Sequence, residues 1–352
     1  MKQIVPSWNR LAWFSVKTGY GDRVERRTKV RDIAAETGVS IATVSRVLND
    51  HVNVSPRTRE LVLQAVERHR RDDSPPGVVH VRCPYLLTDY FGLIVSSIAE
   101  TLRLHGMRMM LDAGEASQQV DALSTLPDQP GVGSAILILP PEDGDQLVTL
   151  SRTGFPFVVV DPRTPPPPDV AAVSAAHFSG ARALATHLVD LGHRRIGVIA
   201  GPEEWLASDA RAAGHHAALA AVGVLPEPRL IRHVEPTTDA GLRAGGELLD
   251  DPDPPTAVVC FNDKLAVGAL WAARDRGLRV PADVSIAGFD DIDLSRATTP
   301  TLTTVRQPLA EMGRIAVTQL MRVLDGHRPE ALHLELSTSL VIRDSTGPST
   351  RR

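Results

Sequence analysis

The 352-residue chain predicts an all-α helix-turn-helix head followed by an α/β body of two doubly wound lobes. Three observations carry that expectation. Residues 28–50 hold two helix-length segments separated by a glycine. From residue 78 onward, short apolar runs alternate with amphipathic segments of helical period, as buried parallel strands and their covering helices do. This second region is long enough for two sheets rather than one.

In chain order, residues 1–27 read as an irregular N-terminal extension, with Trp8, Trp13, Phe14 and Tyr20 scattered among polar residues and arginines. The head begins at Thr28. Helix-forming residues run from Arg31 to Thr37, with Ile33 and Ala34 on one side. Gly38 ends this helix because glycine takes the left-handed geometry of a helix stop without steric cost. Val39 fills the corner, and Ser40 suits an N-cap, its hydroxyl accepting from an otherwise unpaired backbone N–H. In the second helix Ile41, Val44, Val47 and Leu48 form an apolar stripe, opposite Ala42, Thr43, Ser45, Arg46 and Asn49. Small residues and an arginine on that face suit entry into a DNA major groove. After a loop over 51–54, Ser55 and Pro56 open a third helix, whose Leu61, Val62, Ala65 and Val66 close the head. Residues 70–77, RRDDSPPG, are charged and broken by Pro75-Pro76. Proline costs ~3 kcal/mol inside a helix, so this linker is expected to form none.

In the body, strands are expected over 78–81, 134–139, 157–160, 195–200, 257–261 and 284–288. Helices are expected over 178–191, where Ala181, Leu184, Ala185 and Leu188 repeat at helical spacing, and over 264–276 and 309–324. The proline-rich stretch 164–169 reads as a stiff surface loop. In open α/β sheets ligands bind at the carboxyl ends of strands, and between two lobes those ends face each other. That rule nominates Asp161, then Phe261, Asn262 and Asp263, then Phe289, Asp290 and Asp291. Asp263 has a competing role as a helix cap, and Phe289 as core. Carboxylates and an amide accept from hydroxyls, and an aromatic ring stacks on a sugar or a base.

The net charge of −4 excludes a globally basic protein. DNA affinity would have to come from the head, where Lys29, Arg31, Arg46, Arg57, Arg59, Arg68, Arg70 and Arg71 outnumber the acids. Cys83 and Cys260 lie far apart in unlike contexts, which suggests neither a disulfide framework nor a zinc site and fits a reduced compartment. No apolar run is long enough to span a bilayer, and the N-terminus lacks a signal peptide's apolar region. Asp290, Asp291 and Asp293 have no matching histidine or glutamate, and His215-His216 point to two sides of a helix, so no metal and no cofactor are expected. There is no nucleophile elbow, phosphate loop or Gly-x-Gly-x-x-Gly after a strand, so no enzyme is expected.

The head's string resembles the DNA-binding head of the lactose-repressor (LacI) family. The matching residues are Asp32-Ile33-Ala34, Gly38-Val39-Ser40, Ala42-Thr43-Val44-Ser45-Arg46 and Leu48-Asn49. In the body the resemblance continues through Leu191-Gly192-His193-Arg194-Arg195-Ile196, Phe261-Asn262-Asp263 and Gly288-Phe289-Asp290-Asp291-Ile292. It implies that Ile41, Ala42 and Arg46 contact base edges and that Thr43, Ser45 and Asn49 face phosphates. It implies a body of two Rossmann-like lobes, similar to a periplasmic sugar-binding protein, the chain crossing between them near Ser174, Pro300 and Pro329. The first lobe would then hold about 78–174 and 301–328, the second about 175–300 and 329–345, followed by a tail over 346–352. Asp161, Arg211, Asn262 and Asp290 fall at effector-contacting positions, with Tyr90, Phe91, Trp205 and Phe261 as walls. The expected function is a cytoplasmic, nucleoid-associated homodimeric transcription regulator, a repressor whose operator binding responds to a small molecule. Sugars are the first choice of effector, purines or nucleosides the second. At 70–77 the chain departs from the family's hinge, so no hinge helix is expected, which puts in doubt the family's leucine wedged into the minor groove. The competing functions are a solute-binding protein without a regulatory role and a sugar- or nucleotide-modifying enzyme. Against the first stand the DNA-binding head and the lack of a signal peptide.

Overall fold

The computed structural model describes residues 30–48, 54–72, 77–114, 117, 122–327 and 331–349. The chain divides into two compact units, Met1–Pro75 and Pro76–Arg352.

In the first unit α1 covers residues 30–37, α2 Ile41–Leu48 and α3 Pro56–Asp72. Gly38 sits at φ +68°, the left-handed value a helix stop requires. Ser40 Oγ accepts from the Thr43 N–H and Ser55 Oγ from the Thr58 N–H, each at 3.1 Å, so both serines cap as their positions predict. Ile33, Ala34, Val44, Val47, Val62 and Ala65 form the core, flanked by Val30, Val39 and Val54. The expected apolar stripes are narrowed. Ile41, Leu48 and Leu61 are 50%, 38% and 42% exposed, because a small three-helix cluster covers only the middle of each stripe. The third helix runs past His69 to Asp72, so the expected head boundary at residue 69 and linker start at 70 fall inside α3. Residues 73–76 of that linker lie outside the described residues, as do the N-terminal extension and Asn49.

The second unit contains two parallel sheets. In the first lobe β1 (Val78–Cys83), β2 (Arg108–Ala113), β3 (Val132–Ile138), β4 (Phe157–Val160) and β5 (Ala172–Ala175) alternate with α4 (Asp89–Leu104), α5 (Ala122–Thr125) and α6 (Gly144–Arg152). The chain then crosses into α7 (His177–Asp190), β6 (Ile196–Ala200), α8 (Leu206–Ala220), β7 (Ile231–His233), α9 (Thr238–Leu249), β8 (Ala257–Cys260), α10 (Asp263–Asp275), β9 (Ser285–Ala287) and α11 (Leu294–Ala297). β10 (Thr304–Arg306), α12 (Leu309–Leu324), β11 (His333–Leu336) and β12 (Ser339–Val341) follow. The first sheet runs β11-β5-β4-β3-β1-β2 and the second β7-β6-β8-β9, all parallel, while β10 and β12 form an antiparallel pair.

The second and third crossings lie further along the chain than expected. Thr303 and Arg306 bridge to Ala287 and Asp290, which keeps β10 with the second lobe. The chain therefore crosses between β10 and α12, not near Pro300. β11 pairs with β5 from His333↔Ala172 to Leu336↔Ala175, so the return falls between β11 and β12 rather than near Pro329. Strand length explains the difference. Strands of three or four residues, β11 alternating in exposure, leave no apolar run to mark which lobe they join.

Helices α9 and α10 cross at bare backbone. A Cβ on Gly268 would lie 2.2 Å from the Thr238 carbonyl oxygen, and one on Gly241 2.3 Å from that of Leu265. Among the described residues no helix is long and apolar enough to cross a membrane.

Candidate functional site

On α2, Val44 and Val47 are buried, while Ala42, Ser45 and Arg46 are exposed together with Ile41. Thr43 is half-buried, its hydroxyl 2.9 Å from Ser40 Oγ. The two core valines thus turn the small and cationic residues outward, and the backbone of the helix's first turn can approach another surface closely.

In the second unit a cavity of about 360 Å³ opens where strand ends of the two lobes meet. All eight cleft residues expected from the sequence line it. Tyr90 and Phe91 come from the first turn of α4, and Asp161 follows β4. Trp205 and Arg211 belong to the start of α8, Phe261 and Asn262 follow β8, and Asp290 follows β9. Tyr85 stacks on Phe91, centroids 4.8 Å apart and rings within 6° of parallel. Trp205 meets Phe261 edge-on at 6.0 Å. Apolar walls and a few converging polar groups are the usual make-up of a ligand site.

Three lining residues hold unusual backbone geometry. Leu139 and Asp161, each next after a strand, and Asp290, three residues beyond β9, have φ of 46°, 52° and 118°. Such angles cost a non-glycine residue ~1–3 kcal/mol. Each is held by an N–H bond of 2.8 Å, to the carbonyls of Val160, Val173 and Val305 respectively. The sheet ends thereby force sharp turns at the cavity.

A polar network joins the elements. Tyr90 Oη donates to Asp161 Oδ2 at 2.7 Å, and His177 Nε2 lies 2.8 Å from Asp161 Oδ1. Arg211 Nη2 lies 3.3 Å from His177 Nδ1. A guanidinium can only donate, so Nδ1 accepts and the ring proton sits on Nε2, facing Asp161. Arg211 also donates to the Phe261 carbonyl, and its guanidinium lies 4.2 Å from the Phe261 ring centroid and 3.8 Å from that of Phe289. Its Nε has no acceptor among the described residues. Gln307 Nε2 donates to Asp290 Oδ1 at 2.6 Å.

The electrostatics separate the two carboxylates. Burial raises Asp161, but His177, the Tyr90 hydrogen bond and Arg211 outweigh it and hold its pKa below the ordinary value. Burial dominates at Asp290, against the pull of Arg211 and Gln307 and with the push of Asp161, and its pKa is raised to about 7. Burial also lowers Arg211, which Asp290 and Asp161 partly counter, and raises Tyr90 well above its usual value.

The remaining strand-end nominees lie behind the cavity. Asn262 is the residue that caps α10, accepting from the Leu265 N–H at 3.0 Å. Asp263 is fully buried and accepts from Thr304 Oγ1 at 2.5 Å and the Ile292 N–H at 3.0 Å. Phe289 is core. Asp291 is held by Arg343, Arg306 and Arg296, which makes the acidic loop a structural tie. His215 is buried and its pKa falls to about 3 by desolvation, while His216 is half-buried. Among the described residues no cluster of metal-ligating side chains occurs. Sequence reasoning missed Tyr85, Thr88, Leu139, Glu235 and Lys264, which also line the cavity. Leu139 and Tyr85 follow apolar runs and were open to the strand-end rule; Glu235 follows β7, too short to see.

Comparison with known proteins places these features in a family context. A model of bacterial regulatory proteins of the lacI family matches residues 29–70, and one of a periplasmic binding protein-like domain matches residues 185–346. The HTH-type transcriptional repressor CytR of Escherichia coli (strain K12) is 33% identical, over 92% of this chain and 97% of its own. The HTH-type transcriptional regulator CelR of Thermobifida fusca is 31% identical, over 91% and 98%. A structure of a transcriptional regulator CelR-cellobiose complex aligns with TM-score 0.70 and 31% identity, covering 90% of this chain and 99% of that one. The lac repressor dimer bound to operator and the anti-inducer ONPF aligns with TM-score 0.70 at 28% identity, covering 90% and 98%.

Proposed function

The chain belongs to the lacI family of bacterial regulatory proteins and is a DNA-binding transcriptional regulator, not an enzyme, and we propose that it is a repressor governed by a sugar bound in the cleft of its body. On the DNA side, Ile41, Ala42 and Arg46 read base edges while Thr43, Ser45 and Asn49 meet phosphates. The exposure of Ile41, Ala42 and Arg46 on one face of α2 supports this reading. It acts as a homodimer on a pseudo-palindromic operator in the cytoplasm, at the nucleoid.

The cavity carries the effector reading. Aromatic walls flank a buried guanidinium and two carboxylates, and relatives include a regulator complexed with cellobiose. A volume of about 360 Å³ falls at the small end of the range for ligand sites. Asp290 and Asn262 meet ligand hydroxyls, and the buried Arg211 fixes the charge behind them. Both oxygens of Asp161 already accept hydrogen bonds, so this carboxylate serves mainly to hold Tyr90 and His177 in place. Ligand binding shifts the lobes and changes operator affinity through a coupling of ~1–3 kcal/mol.

A thermal-shift panel of mono- and disaccharides and nucleosides, repeated with operator DNA, tests the assignment. A sugar that raises the melting temperature and changes operator affinity supports it. Stabilisation by nucleosides alone replaces the sugar with the second choice, and no response to either class overturns the effector reading.

A further inference from the structure

Arg163, which no sequence argument singled out, joins the two lobes at one side of the cavity. It follows β4 in the first lobe. Its carbonyl accepts from the Leu206 N–H of the second lobe at 2.6 Å. Its guanidinium lies 5.2 Å from the Tyr85 ring centroid and 5.3 Å from that of Trp205, and donates to Tyr85 Oη. Tyr85 belongs to the first lobe and Trp205 to the second, and the two rings meet edge-on at 6.1 Å. Stacking then continues in both directions, to Phe91 on one side and Phe261 on the other. The side chain's Nε is buried with no hydrogen-bond partner among the described residues, as expected of a cation held chiefly by ring faces.

We propose that Arg163 is an interlobe latch, a cation clasped between one aromatic ring from each lobe that sets the balance between closed and open cleft. The latch uses only this chain's own groups, so it acts on the lobes whatever ligand the cavity takes. It is distinct from the Asp161–His177–Arg211 network, which lies deeper and shares no residue with it. Opening the cleft must part Arg163 from Trp205 and break the bond from Leu206. The contact of Lys264 Nζ with Thr88 Oγ1 at 3.1 Å also bridges the lobes and opens with it, whereas the His177–Asp161 contact, 2.8 Å, sits beside the first crossing, where opening moves the lobes least.

The proposal deepens the cleft reading, and it is tested without any effector. Spin labels on cysteines replacing the exposed Arg152 of α6 and Arg243 of α9 report the distance between lobes in the full-length, ligand-free protein. Arg163→Ala should move a substantial fraction of molecules to longer distance. Arg163→Lys keeps the charge but not the planar fork, and should lie between that variant and the parent. A roughly tenfold shift in the open-to-closed ratio is the size expected for losing about one cation–π contact with its hydrogen bond. Tyr85→Phe, which removes only the acceptor hydroxyl, gives a smaller shift and serves if Arg163→Ala fails to fold. Distance distributions of Arg163→Lys and Tyr85→Phe that both superimpose on the parent's overturn the latch. That result leaves the effector assignment untouched, because a sugar can still stabilise a cleft whose closure Arg163 does not govern.

Discussion

Replacing Asp290 by asparagine should make the protein more stable at alkaline pH and less so, by comparison, in mild acid. The carboxyl group is 6% exposed, and burial raises its pKa from 3.8 to about 7. Between those values the folded chain keeps a proton that the unfolded chain has released, so stability falls as pH rises through the interval. Below 3.8 neither state is charged and the cost vanishes; above about 7 it is fully present. At roughly 1.4 kcal/mol per pH unit the interval corresponds to about 4 kcal/mol. An amide oxygen still accepts from Gln307 Nε2, so that bond survives the change. The neighbouring Asp263, whose pKa burial and Asp290 both push up, is relieved as well. The pull of Arg211 is already contained in that raised pKa, and an amide's imperfect match to the carboxyl group's surroundings leaves a net gain of about 1–4 kcal/mol at pH 8. Urea unfolding of parent and Asp290→Asn at pH 5 and pH 8 measures it. A gain at pH 8 that shrinks to less than half at pH 5 is expected. A gain equal at both pH values, or a loss at pH 8, refutes the assignment of a costly buried carboxylate. The same variant should lose its response to ligand while still binding operator.

Arg46→Ala should reduce discrimination between operator and random duplex by ~1–3 kcal/mol, read by competition binding at fixed salt, and unchanged selectivity removes Arg46 from base recognition. Arg211→Met should destabilise the body by ~3–5 kcal/mol in urea unfolding, because Asp161 and Asp290 lose their shared cation, and should abolish ligand binding measured by calorimetry. Gly268→Ala should cost ~1–3 kcal/mol and lower the melting temperature, since the added methyl meets the Thr238 carbonyl at 2.2 Å. A neutral result there would mean that α9 and α10 part easily.

The head was legible in detail because its signals are local. Glycine at the turn, serines at two helix starts and valines at helical spacing each act over a few residues, and the caps on Thr43 and Thr58 form where they were expected. Central strands were legible for a related reason: β3, β4, β6 and β8 are buried on both faces and read as unbroken apolar runs. Of the edge strands, β9 was read but β2, β7 and β11 were not. β2 alternates between partial and full exposure, and β7 has only three residues, so neither leaves a run to find. The cavity's residues were reachable because strand ends can be counted from the strands. Arg163 was invisible to that count, since its role depends on two rings 120 residues apart in the chain, Tyr85 and Trp205, meeting across the lobes.

The late strand β11 has a consequence for how the protein is made. Although it is formed by residues 333–336, it borders β5 in the sheet that begins with Val78. During synthesis the earlier lobe therefore waits, one edge unzipped, until almost the whole polypeptide has left the ribosome. Neither half can mature first and template the other. A premature stop just upstream of His333 would release a body whose first sheet lacks its last strand and whose β10 lacks its partner β12, and a cell would meet such a fragment as a substrate for proteases rather than as a weakened regulator.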